Sequence, residues 1–236
     1  MTDRQTELLE KEDPRFYAID KFNTGLASIS TTEKVGSEIL NFGLPSSPGL
    51  FLNLALNCKK QVDQINLENC FDKHPAPQGT WPEDHKKLFD FFELMVSQII
   101  FSYSAIEAFA NIKIPSDFIY RTKRSDKKFI EEYDKEQAER YVSLDGKLDK
   151  ILPQVFNVKT PCGTKLWENY QHIKKLRDRL IHLKSSDTTS SGPEVKTIWG
   201  DLMRNQKTDF PRQVHELIGH YIFKETGHRW FKKFPY

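Results

Sequence analysis

The sequence predicts an all-α helical bundle with an irregular N-terminal extension. Three observations carry that expectation. Between Thr80 and Ile112, the residues Phe91, Phe92, Met95, Ile99, Ile100, Tyr103, Ile106, Phe109 and Ala110 fall at helical spacing and form one wide apolar stripe. A second amphipathic stretch runs from Thr164 to about Lys184, and a third from 209 to 226 carries Val214, Leu217, Ile218, Tyr221 and Ile222 on one face. Gly and Pro fall mainly between these stretches, as at Leu44-Pro45-Ser46-Ser47-Pro48-Gly49 and His74-Pro75-Ala76-Pro77-Gln78-Gly79.

The elements follow in order. Residues 1–49 are charged or rich in Gly, Ser, Thr and Pro, and form the extension; Glu33 to Phe42 fits a short helix or a strand. From 50 to 71 the apolar spacing is closer to helical than to alternating. Thr80 is placed as N-cap of the long helix, with Pro82 in its first turn and Glu83 and Asp84 near its positive end. Residues 113–142 form a basic insertion, with Arg121, Lys123, Arg124, Lys127 and Lys128 clustered and an acidic helix expected over Glu131 to Arg140. A short helix over 144–152 is expected to end at Pro153, followed by a loop from Val155 to Gly163. Ser185 to Pro193 reads as a polar, mobile tip. The helical domain is thus drawn as 50–236.

Bulk properties narrow the function classes. The chain has 236 residues, 38% hydrophobic and 29% charged, with a net charge of +2. That is enough to bury a core. It is not basic enough for a general nucleic-acid coat, so any RNA binding must come from a local patch. Cys58, Cys70 and Cys162 form no C-x-x-C pair and are odd in number, which fits a reducing cytoplasm better than a disulfide framework. No apolar leader follows Met1, and no stretch reads as a membrane span, so a cytoplasmic protein without membrane contact is expected.

The most informative segment is Leu176-Arg177-Asp178-Arg179-Leu180-Ile181-His182. An arginine grips phosphate oxygens with a planar fork. A histidine moves protons near neutral pH. Asp178, four residues before His182, shares its helix face and is expected to orient it. These are parts for cutting RNA without a metal. Arg177 and His182, five apart, point about 140° away from each other on an ideal helix. Either the helix unwinds at the motif or two copies of the chain bring their motifs together.

Arg177-Asp178-x-x-x-His182 resembles the signature of the HEPN superfamily: arginine, a polar residue, then histidine a few positions on. Upstream, Ala105-Ile106-Glu107-Ala108-Phe109 resembles an earlier core helix of bacterial HEPN-like proteins, and the likeness spans roughly residues 84–226. The resemblance implies a helical bundle and a metal-independent endoribonuclease of the toxin or phage-defence kind. It implies a homodimer with a composite cleft, an RNA substrate, no cofactor, and an antitoxin or sensor partner. The alternative within the family is a non-catalytic module that binds RNA or protein. By resemblance His182 is the general base or acid and Arg177 binds the phosphate. The 2′-hydroxyl attack then leaves a 2′,3′-cyclic phosphate and a 5′-hydroxyl.

Further candidates are weighed by residue type. Glu107, mid-stripe, needs a cation if buried, and Arg177 or Arg179 is the expected partner; otherwise it lies at the stripe's edge. Arg179 adds charge at the cleft or serves as a salt-bridge partner. The run with Lys123, Arg124, Lys127 and Lys128 is a solvated segment or an RNA grip. The tail from Arg229 to Tyr236 packs on the core or stacks bases. His215-Glu216-Leu217-Ile218-Gly219-His220 has one residue too many for a zinc-protease helix, and no metal site is assigned.

Overall fold

The computed structural model describes residues 13, 15, 18–21, 25–28, 30–71, 85–123, 130–189, 192–223 and 229–235. It is mostly helical, with three antiparallel hairpins where an all-α chain was expected. The strands are β1 (Ala18–Lys21) with β2 (Gly25–Ser28), β3 (Ser30–Val35) with β4 (Glu38–Gly43), and β5 (Tyr120–Lys123) with β6 (Ile130–Tyr133). The helices are α1 (Ser47–Val62), α2 (His85–Ile112), α3 (Lys135–Tyr141), α4 (Leu144–Gly146), α5 (Leu152–Phe156), α6 (Lys165–Ile181), α7 (Ser185–Thr188), α8 (Ile198–Arg204), α9 (Phe210–Ile222) and α10 (Arg229–Lys232). Two compact units are built from interleaved stretches: Met1–Leu50 with Ala105–Trp167 and His215–Tyr236, and Phe51–Ser104 with Glu168–Val214.

In the first unit, β3 and β4 pair in register from Ser30↔Gly43 to Val35↔Glu38 around Gly36, whose φ of +63° is the left-handed conformation such a turn needs. Val35, Ile39, Leu40 and Phe42 are all exposed on this hairpin, so neither face is a buried one that would mark the strands with a period of two. β5 and β6 replace part of the expected acidic helix: Glu131 and Glu132 lie in the strand, and the helix begins after Asp134. Asp134 and Gln137 cap it reciprocally, side chain to backbone at 2.8 and 3.1 Å. Ile114, Tyr120, Ala138 and Ile151 are buried together beneath them.

Pro153 does not stop its helix. A π turn over Lys147–Ile151 precedes it, and Leu152 N–H bonds Lys147 O, five residues back. The slip widens the helix where the proline ring would otherwise press on the preceding turn, and the helix runs on to Phe156. Asn157, at φ +51°, then ends it. The same turn buries Lys147, whose Nζ donates to Asn111 Oδ1 at 2.8 Å and Glu139 O at 2.7 Å. Burial pulls its pKa below the usual lysine value, against the opposing charges of Glu107 and Glu139. Tyr221 closes this core: its hydroxyl donates to Leu148 O at 2.6 Å, and its ring meets Phe109 and Phe156 at 6.1 Å.

The C-terminal tail packs inward. Trp230 and Phe234 are buried, and the Phe231 ring lies flat on His215 at 3.9 Å. Gly219 permits the approach, since a Cβ there would come within 3.1 Å of that ring. His215 Nε2–H donates to Phe231 O at 3.1 Å. Burial lowers the His215 pKa, outweighing the Phe231 carbonyl and Glu216. The unfolded chain therefore takes up the proton first, and stability is present above about pH 6.5 and is lost as pH falls through the lower folded value. Wild type is expected to lose more melting temperature between pH 7.5 and 5.5 than His215→Gln, as read by calorimetry; parallel losses would show that His215 does not titrate this way.

The second unit holds the motif. Leu52, Ala55, Leu56 and Val62 of α1, Phe91, Met95, Ile99 and Tyr103 of α2, and Tyr170, Ile173 and Leu176 of α6 are all buried. Each large apolar side chain removed from water contributes about 1.5–3 kcal/mol. Gln206 Nε2 donates to Ile65 O at 2.6 Å, tying the turn after α8 to the chain beyond α1. Asp209 caps α9 by accepting from Arg212 N at 3.1 Å. The expected N-cap Thr80 and first-turn Pro82 of α2 lie outside the described residues. By length and composition alone α2 is apolar enough to cross a membrane, contrary to the sequence expectation that no stretch is; 44% of its apolar window is buried inside the protein.

Candidate functional site

α6 forms because Leu166, Tyr170, Ile173 and Leu176 recur every three or four residues, and the last three are buried. This fixes the opposite face. Lys175, Asp178, Arg179 and His182 follow at the same spacing on an accessible side. Together with Leu176, Lys184 and Asp201 they line a cleft of about 300 Å³. The lining holds more cationic than anionic groups, and Lys175, His182 and Lys184 are exposed.

The helix does not unwind at the motif. His182 N–H bonds Asp178 O at 2.9 Å in the ordinary helical pattern, so the divergence of Arg177 and His182 persists. Arg177 lies flat over the Tyr103 ring, its guanidinium carbon 4.5 Å from the centroid. Its Nη1 donates to Asp178 Oδ1 at 2.9 Å. Asp178 thus engages Arg177 and not His182 as the sequence suggested, because the neighbouring guanidinium folds back onto it. Among the described residues, the His182 side chain makes no hydrogen bond to the protein, and it is exposed at the cleft.

One other expectation needs correction. Glu107 is exposed at the edge of the α2 stripe, so the buried carboxylate that would need an arginine is not there; the cation it acts on is Lys147. Arg179 is a salt-bridge partner, one of the two roles open to it from the sequence. Its Nε and Nη2 both donate to the Asp187 carboxylate at 2.7 Å, and Nη2 also reaches Ser186 Oγ and Lys196 O. Lys123 is the exposed last residue of β5, and Arg124, Lys127 and Lys128 lie outside the described residues.

Asp187 itself was hidden in a Ser/Thr tract taken for a mobile tip. Its side chain is fully buried, and it accepts from Lys184 N at 2.9 Å and Ile198 N at 2.8 Å as well as from Arg179. Arg179 first, and those two N–H groups after it, hold this carboxyl far below the usual carboxylate range despite burial. Its main-chain carbonyl accepts from Trp199 Nε1 at 2.9 Å. Trp199 and Phe92 meet at 5.2 Å and, with Phe89 and Val96, line a separate apolar groove.

His215 and His220 each bond a different main-chain carbonyl, of Phe231 and Lys159. Among the described residues, no group of three or more His, Cys, Asp or Glu is placed to hold a metal ion. Compared with protein-family models, with curated proteins and with solved structures, the chain matches none.

Proposed function

We propose that this chain is a metal-independent endoribonuclease of the HEPN type, a toxin or phage-defence effector that acts as a homodimer. The observation that carries the reading is the pair at the end of α6: an arginine stacked on Tyr103 and, one residue past the helix, a histidine whose side chain stands exposed at a cleft that Lys175 and Lys184 also line. Arg177, stacked on Tyr103 and paired with Asp178, is already held in one arrangement, so engaging a phosphate costs it little rotamer freedom. His182 has room to take the 2′-hydroxyl proton or to give one to the leaving 5′-oxygen. The cleft cations Lys175 and Lys184 supply the field that draws a phosphodiester in.

The uninterrupted helix supports the dimer. One chain does not aim Arg177 and His182 at one phosphate, and a second copy supplies the missing half. Ile181 and Leu183, exposed on either side of His182 at 57% and 46%, are the apolar flank such a partner would cover.

The test is cleavage of total tRNA and of a long messenger in excess EDTA. Wild type is expected to cut and to leave 2′,3′-cyclic phosphate ends, with His182→Ala and Arg177→Ala losing at least ~100-fold. The rival reading is a non-catalytic binding module. Its sign would be RNA retained on a filter by wild type and by both variants, with no cutting by any of them.

A further inference from the structure

The sequence places nothing of note between His182 and α8, yet a heavily bonded buried side chain of the second unit sits there. Asp187 accepts four hydrogen bonds on a carboxylate that water does not reach. They come from three places: the last turns of α6, the segment just past His182, and the first turn of α8. A fifth bond, from the Trp199 indole to its main-chain carbonyl, fixes Asp187 from the other side. Asp187 N also donates to Lys184 O at 2.8 Å, so residues 184 and 187 bond in both directions.

The consequence falls on His182. On one flank its own N–H continues the helix to Asp178 O. On the other, Lys184 N is captured by Asp187 Oδ2 at 2.9 Å, and Lys184 is held extended at φ −92°, ψ 161°. This capture ends α6: the carboxylate offers the Lys184 amide a partner other than the helical carbonyl. The backbone is therefore fixed at His182 itself and again two residues on, at Lys184, where the chain leaves the helix and lines the cleft.

A buried ion pair is a poor source of net stability compared with apolar packing, and what it contributes is a defined arrangement. Arg179 spends its fork on this task. A lysine would keep the charge but not two parallel bonds of 2.7 Å.

We propose that Asp187, through Arg179 and Lys184, is the positioning residue for His182, and that the working motif extends from Arg177 and His182 to include the Arg179–Asp187 pair. Its catalytic consequence rests on the ribonuclease reading; its structural consequence does not. Asp187 touches no substrate and acts only by holding the backbone that carries the imidazole.

The experiment compares the full-length protein with Asp187→Asn and Arg179→Lys. The first keeps the shape and removes the charge. The second keeps the charge and removes the fork, and it decides the matter if Asp187→Asn does not fold. Two readouts are taken: single-turnover cleavage of a single-stranded RNA over pH 5–9, and histidine-resolved NMR with amide exchange at Lys184. Both variants are expected to lower kcat by roughly 10–100-fold while KM stays within about twofold, because misplacing an acid–base group costs turnover and not binding. The His182 imidazole resonances are expected to move or broaden, and Lys184 exchange to quicken by at least about tenfold.

Unchanged His182 resonances and unchanged Lys184 exchange in a folded variant would overturn the proposal. So would a change in KM alone. If wild type cuts no RNA, the ribonuclease reading falls, while resonances and exchange that still respond to both substitutions keep Asp187 in its positioning role.

Discussion

Arg177→Lys is expected to lose about 100-fold in RNA cleavage with little change in melting temperature. The charge survives this substitution, so a simple electrostatic role would tolerate it. The geometry does not. Arg177 uses one nitrogen on Asp178 and its flat face on Tyr103, a combination that needs the planar guanidinium. An ammonium has no face to stack and no fork to share between a carboxylate and a phosphate. Losing one aligned donor to a developing oxyanion costs about 10²–10³ in rate. The pair with Asp178 is part-exposed, so its loss should cost under about 1 kcal/mol of stability. Steady-state cleavage beside a thermal melt checks both halves. Near-wild-type cleavage by the lysine variant would mean that Arg177 supplies charge alone.

The second large effect is on stability. Phe109→Ala is expected to cost about 3–5 kcal/mol, the range for deleting a buried aromatic from a packed core. Phe109 is 1% exposed, and its ring stacks on Phe156 at 6.2 Å and meets Tyr221 at 6.1 Å. The hole would open beside the Tyr221 ring, whose hydroxyl bonds Leu148 O in the π turn. A folded domain has only about 5–15 kcal/mol in hand. Urea unfolding followed by circular dichroism reads the loss; a change under about 1 kcal/mol would show that this ring trio does not carry the first unit.

What the sequence revealed depended on how periodic each element is. α2 and α9 were legible because their buried faces repeat every three or four residues. The motif helix was legible for the same reason, but it ends three residues earlier than expected, since nothing local announces that Asp187 will take the Lys184 amide. The hairpins were not legible. β3 and β4 are exposed on both faces, and β5 and β6 carry the charges that suggested a basic loop followed by an acidic helix. Pro153 misled because the π turn that accommodates it has no signature of its own. The tail was open to two readings, and the burial of Trp230 and Phe234 supports packing on the core.

The site was legible in its chemistry and not in its supports. Arg177 and His182 stand out by residue type and spacing. Tyr103 looked like one more member of an apolar stripe, and Asp187 like one more polar residue in a Ser/Thr tract. Tyr103 acts through a contact far along the chain, and Asp187 through a turn between two helices, and helical spacing shows neither. Glu107 drew attention because a carboxylate in a stripe suggests burial, yet the stripe is narrower than the helix and Glu107 lies outside it.

The central claim is that Arg177 of one copy serves His182 of another, and subunit mixing tests it most directly. Arg177→Ala and His182→Ala are each expected to be inactive alone. Unfolded together and refolded, they would pair at random, and one site of each mixed dimer would hold an intact arginine and an intact histidine. The account expects RNA cleavage to return to about a quarter of wild type, from half the dimers with one good site of two. No recovery from a mixture shown to contain mixed dimers would contradict it.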